Sequence, residues 1–198
     1  MKAVLISTQP KWCELIAKGE KTVEVRKSKP KLRVPFPVYI YCSKGTRKGD
    51  FITKSEKFGY ITGHEGSFYN RATEYDANGK VIGEFVCDKI VPLVLKENGV
   101  YYIPAKEHCG RACMTVEEAR KYGNGKPLYA WHISNLVIYD KPKYLSEFVR
   151  LRRCYEENIN EWCAESCSEY LDGECDGKYI PITRPPQSWM YIEKWKGE

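Results

Sequence analysis

Residues 18–27 read "KGEKTVEVRK", a stretch that sets Lys21, Glu24 and Arg26 around two valines. A solvated loop has no use for the valines, and an ordinary core strand carries few charges. From Thr22 the residues alternate: Val23 and Val25 fall on one face, Thr22, Glu24 and Arg26 on the other. Strand side chains have a period of two, so the expectation is a half-buried strand with its charges held along the second face.

The preceding residues frame this strand. "AVLIS" (Ala3–Ser7) has the continuous apolar character of a buried strand. Pro10 suits the first turn of a helix, in which Trp12, Leu15 and Ile16 form one apolar face. Gly19 can take the left-handed conformation that ends such a helix. Downstream, "VYIYC" (Val38–Cys42) predicts a second core strand. The run from Val81 to Leu93 predicts a third, with Gly83 as a candidate bulge, and Leu128–Asp140 a long, bent fourth. Between the second and third lies a basic loop or hairpin excursion, residues 44–80, with Lys44, Arg47, Lys48, Lys54 and Lys57. "TVEEARKYG" predicts a short helix with a capping box, Thr115 at the N-cap, Glu118 three residues on and Gly123 past the end. The pattern is α+β, mainly β, and fits a small barrel.

Composition narrows the class. The 198 residues suffice for one sizeable domain, and 42% hydrophobic with 29% charged residues is ordinary for a globular protein. No apolar run approaches the ~20 residues that cross a bilayer, so no membrane partner is expected. The N-terminus lacks the form of a secretory leader, and a cytoplasmic location is expected. The net charge of +6 permits a polyanionic partner without requiring one. No phosphate-binding glycine loop, nucleophile elbow or His-Glu-x-x-His motif occurs, which disfavours nucleotide-driven motors and zinc proteases.

Nine cysteines in a chain without an export signal point to thiols or metal ligands rather than disulfides. Cys154, Cys163, Cys167 and Cys175 lie within 22 residues; four thiolates could hold a structural zinc ion and stabilise an appendage with little core of its own. The alternative is a set of reduced, partly buried thiols. A smaller group, "HCGRAC", contributes His108, Cys109 and Cys113.

A strand, a proline-started helix and then Gly-x-Lys-x-x-Glu-x-Arg, here Gly19, Lys21, Glu24 and Arg26, resembles the signature of the ASCH domain of the PUA-like superfamily. "GKVIGEFVCDKI" is similar to the family's central strand and "LYAWHISNLVIYDKP" to its late one. The closing "RPPQSWMY" resembles the tail of phage and prophage members. The resemblance covers roughly residues 1–150 and the last fifteen. It implies a PUA-like barrel over 1–150 with rim helices; the shift to a Cys- and Glu-rich composition after about Phe148 predicts a Cys-rich appendage over 151–180, with a segment over 181–198 that returns to the barrel. The resemblance also implies a cleft beside the charged motif that binds RNA or a modified nucleoside. Some members resemble hydrolases, including amidohydrolases that deacetylate N4-acetylcytidine, and ribonuclease activity is also associated with the family. In the amidohydrolase branch the motif lysine is catalytic, and a threonine stands where this chain has Glu24.

The chemistry of these residue types agrees with such a cleft. Lys21 could serve as a base or as a cation facing a developing oxyanion. Glu24 could exchange protons or orient Lys21, Thr22 offers a hydroxyl, and Arg26 suits bidentate recognition of phosphate or carboxylate. Ser7, Gln9 and Trp12, where the first strand meets the helix, are candidates for the same cleft. So are Gln187, Ser188 and Trp189 after the double proline, with Trp189 placed to stack a base or to plug the barrel. A mobile-element module that binds a protein partner through the Cys-rich segment is the alternative from a different class.

Overall fold

The computed structural model describes residues 2–44, 51–55, 59–63, 77–97, 100–102, 107–151 and 179–195. The first half of the chain contributes β1 (Lys2–Thr8), α1 (Pro10–Ala17), β2 (Val23–Arg26), β3 (Phe36–Cys42), β4 (Phe51–Ser55), β5 (Gly59–Gly63), β6 (Lys80–Cys87) and β7 (Ile90–Glu97). The second half contributes β8 (Val100–Tyr102), α2 (Glu107–Arg111), α3 (Val116–Gly123), β9 (Leu128–His132), β10 (Ser134–Tyr144), β11 (Val149–Leu151), β12 (Tyr179–Pro181) and β13 (Trp189–Glu193). Among the described residues the protein is mainly β with three short α-helices. The four zinc-candidate cysteines and Arg47, Lys48 and Lys57 lie outside the described residues.

Five strands form one sheet in the order β10-β6-β3-β1-β13, and four form a second in the order β2-β9-β7-β8. β4 and β5 pair as a hairpin, so the basic excursion contains regular structure beside α1. Within the five-stranded sheet β1 and β3 run parallel, while the other pairs are antiparallel. Parallel neighbours need a crossover. Here α1 and β2 supply it, and β2 leaves to join the other sheet, which carries the charged motif opposite the end of β1.

β1 is continuously apolar from Ala3 to Ile6 because both faces are covered there. Val4 and Ile6 pack with Val38, Ile40, Ile16, Phe85 and Trp131 on one side. Ala3 and Leu5 pack with Tyr39, Tyr41, Phe148 and Ile192 on the other. A third cluster joins Val23 and Val25 to Leu93, Leu128, Ala130, Cys109, Ala112 and Ala119, so α2 and α3 cover the outer face of the second sheet.

Two expected strands each divide in two. The Val81–Leu93 run breaks at Asp88 and Lys89, where β6 in one sheet gives way to β7 in the other. His132 holds this corner, its backbone N–H donating to the Lys89 carbonyl (2.9 Å) and its Nδ1 lying 2.6 Å from Asp88 Oδ1. The Leu128–Asp140 run breaks at Ile133, whose N–H donates to the Thr22 carbonyl at 3.0 Å. Periodicity does not reveal these corners, because apolar residues continue on either side although the two halves join different sheets.

Gly83 sits where the β3–β6 register shifts, and a Cβ there would collide with the Val137 carbonyl oxygen. α3 begins with both bonds of its capping box: Glu118 N–H to Thr115 Oγ1 (3.0 Å) and Thr115 N–H to Glu118 Oε2 (2.7 Å). Its end differs from expectation. Gly123 is the last helical residue, buried near the Leu128 side chain, and Asn124 takes the left-handed turn with φ 45°.

Candidate functional site

Pro10 starts α1 and Gly19, with φ 74°, turns the chain out of it, so Lys21 arrives just before β2. The alternation of β2 holds, but its second face is not solvated. All four residues are buried. Val23 and Val25 enter the cluster under α2 and α3, while Glu24 and Arg26 sit in the wall of a cleft. The expected half-buried strand is a fully buried one, because the β1–α1 junction covers its charged side.

Lys21, Glu24 and Arg26 are 4%, 4% and 7% exposed, so their charges must be balanced internally. Arg26 Nη1 lies 2.8 Å from Glu24 Oε1, and Lys21 Nζ lies 3.5 Å from Glu24 Oε2. Lys21 Nζ also donates to the Ala112 carbonyl (2.8 Å) and stands 5.1 Å from the centre of the Trp12 ring. Arg26 Nη2 donates to the Ser7 carbonyl (2.8 Å) and to Thr8 Oγ1 (3.3 Å). Two cations around one carboxylate leave a net positive charge. Among the described residues Glu24 Oε2 and Arg26 Nε have no hydrogen-bond partner, although both atoms are buried.

The cleft has a volume of about 640 Å³. Ser7, Gln9, Trp12, Lys21, Glu24, Arg26 and Gln187 all line it. The tail reaches it because Ser7 Oγ donates to the Pro186 carbonyl (2.6 Å) and Ser7 N–H to the Ser188 carbonyl (2.9 Å).

Thr22, Ser188 and Trp189 are not among the lining residues. Thr22 Oγ1 accepts from Arg111 Nε at 3.2 Å instead. Trp189 packs against Trp131 and Tyr191, with ring centres 6.0 and 5.3 Å apart, and its Nε1–H donates to Ser28 Oγ at 2.9 Å. These contacts set its partly buried ring against the core cluster of Val4, Ile6 and Trp131.

Sequence reasoning missed Thr8, Ser43, Met114, Glu118, Lys121 and Tyr122, which also line the cleft. Glu118, Lys121 and Tyr122 follow i, i+3, i+4 spacing, which places them on one face of α3; that spacing was the available signal. Glu118 is held below the usual carboxylate range, mainly by the Thr115 backbone N–H, and remains an anion at neutral pH.

At three described cysteines burial disfavours the nucleophilic thiolate. Burial pushes up the thiols of Cys13 and Cys109, and that of Cys87 to about 12. Among the described residues no group of three or more His, Cys, Asp or Glu side chains is arranged to hold a metal ion; His108, Cys109 and Cys113 form no such site there.

The model of the ASCH domain family matches residues 6–171. The crystal structure of ASCH from Zymomonas mobilis is similar at 18% identity and a TM-score of 0.46, over 97% of this chain and 88% of that one. A tyrosine-to-phenylalanine variant of that Zymomonas mobilis protein is similar at 17% identity and a TM-score of 0.46, over 98% and 92%. No curated protein matches. The family match covers well over half of the residues, and the chain belongs to the ASCH domain family.

Proposed function

We propose that the cleft binds a nucleobase presented by RNA or by a modified nucleoside. The observation that carries this reading is the buried Lys21–Glu24–Arg26 cluster in the wall of a cleft of about 640 Å³ with Trp12 and Tyr122 among its lining. That volume lies within the ~300–1,000 Å³ typical of small-molecule sites. The donor and acceptor set also suits a base. A carboxylate accepts from an exocyclic amine such as the N4–H of cytosine, and a guanidinium donates to carbonyl or phosphate oxygens. Trp12 and Tyr122 supply aromatic surface of the kind on which unstacked bases rest.

The placement of Lys21 Nζ favours a second reading, hydrolysis at the same cleft. Its neighbours are one backbone carbonyl and the Glu24 carboxylate. A lysine so held could act as a base toward an attacking water, or as the cation facing the oxyanion that forms when an acyl group is cleaved.

The test incubates the protein and its Lys21→Ala variant with N4-acetylcytidine and with mixed-sequence RNA, following products by chromatography and binding by titration at several salt concentrations. Salt-dependent binding without turnover supports the binding reading. Turnover that vanishes in Lys21→Ala establishes the enzyme. Absence of both defeats the two readings together and moves attention to a protein partner. For residues 151–180 the proposal is a structural zinc ion on Cys154, Cys163, Cys167 and Cys175, checked by metal analysis of the purified protein before and after a chelator.

A further inference from the structure

A second, smaller pocket of about 190 Å³ is lined by Val23, Lys89, Val91, His108, Arg111, Ala130 and His132. Its apolar members come from β2, β7 and β9, and its polar members all carry nitrogen donors. No carboxylate is among the lining residues. Below the ~300 Å³ at which sites for drug-sized ligands begin, such a pocket suits a small ion.

The basic groups arrive from three directions. Lys89 and His132 meet at the β6–β7 corner, where the His132 N–H donates to the Lys89 carbonyl (2.9 Å). Asp88 lies 2.6 Å from His132 Nδ1, and the histidine holds the Asp88 carboxyl below its usual range. An ionised Asp88 makes Nδ1 the donor in that contact and fixes the ring, leaving Nε2 for other partners. His108 and Arg111 come from α2. Arg111 Nε is engaged by Thr22 Oγ1 (3.2 Å), which anchors the guanidinium and leaves its terminal amino groups for a ligand.

We infer that this pocket is a phosphate subsite, binding a phosphate group through Lys89, His108, Arg111 and His132. Lysine and arginine give two fixed positive charges, and the arginine fork matches tetrahedral oxyanions. The pocket shares a wall with the larger cleft. The segment that places Arg111 here places the Ala112 carbonyl on Lys21 there. The inference stands whatever the larger cleft binds.

The test follows imidazole resonances of the full-length protein by NMR while inorganic phosphate is added against chloride of matched ionic strength. The chain has only three histidines, at positions 64, 108 and 132, so His64 serves as the internal reference. Saturable shifts of His108 and His132 that leave His64 in place are expected. Lys89→Gln or Arg111→Gln should weaken half-saturation by about five- to tenfold, the scale of one net hydrogen bond at a solvent-accessible site. Lys21→Ala should not alter the response, which separates this site from the cleft. Equal shifts of all three histidines, no shift beyond the chloride control, or unchanged binding in both the Lys89 and Arg111 variants would overturn the inference. Competition by a 5′-phosphorylated oligonucleotide but not by its unphosphorylated form identifies the phosphate as terminal; equal competition by both identifies it as a backbone diester. Failure of both to compete, with inorganic phosphate bound, shows an adventitious ion only and also overturns the inference.

Discussion

Replacing Glu24 by alanine tests whether the charged motif is an internally balanced cluster. Its carboxylate faces Arg26 Nη1 at 2.8 Å and Lys21 Nζ at 3.5 Å, and all three residues are more than nine-tenths buried. At an effective dielectric of ~20 these contacts correspond to gross attractions of about 6 and about 5 kcal/mol. Much of that is offset by the cost of removing three charges from water. Glu24→Ala keeps the cost of burying the two cations and removes their compensation, leaving two like charges buried side by side. The expected loss is about 3–5 kcal/mol, the range seen when one partner of a buried pair is removed. Urea unfolding should show a lower midpoint with an unchanged slope. At this chain length the melting temperature should fall by about 6–20 °C. Glu24→Gln should lose less, because its amide oxygen still accepts from Arg26. Replacing all three residues with apolar ones of similar size should recover most of the stability. A Glu24→Ala protein within about 1 kcal/mol of the parent would refute the reasoning, since it would mean that water already reaches and screens the cluster.

Two further outcomes rest on other elements. Gly83→Ala pushes a methyl group into the Val137 carbonyl across the β6–β10 ladder, and neither backbone can yield without breaking register. A loss of about 1–3 kcal/mol is expected by urea unfolding, and full stability would show that the strands are farther apart in solution. Asp88 has a carboxyl pKa below its ordinary 3.8, chiefly because of its contact with His132. Its contribution to stability is therefore present above pH 3.8 and lost as pH falls through the lower folded value. Asp88→Asn should make the acid limb of the stability–pH curve shallower below that point, as read from unfolding midpoints; an unchanged limb would remove this pair from the account.

What was legible in the sequence was governed by near neighbours. Pro10 and Gly19 bound the first helix through backbone restrictions of their own. The Thr115–Glu118 box closes within one turn, and the alternation of β2 separates its valines from its charges over four residues. These features depend on φ/ψ preferences and on bonds three or four residues long, so they can be read in one dimension. Gly83 was legible as an irregularity, though not as the point where the Val137 carbonyl comes closest.

Tertiary structure decided the rest. Whether Glu24 and Arg26 meet water depends on β1 and α1 folding over them. Whether Trp189 faces the cleft or the core depends on how β13 lies along β1. The breaks at Asp88 and Ile133 follow from which sheet each half of a strand joins, and both halves are apolar in either case. Glu118, Lys121 and Tyr122 reach the cleft from α3, about a hundred residues along the chain from Lys21. Burial is a property of everything packed around a residue, and most of what surrounds Lys21, Glu24 and Arg26 is distant in sequence.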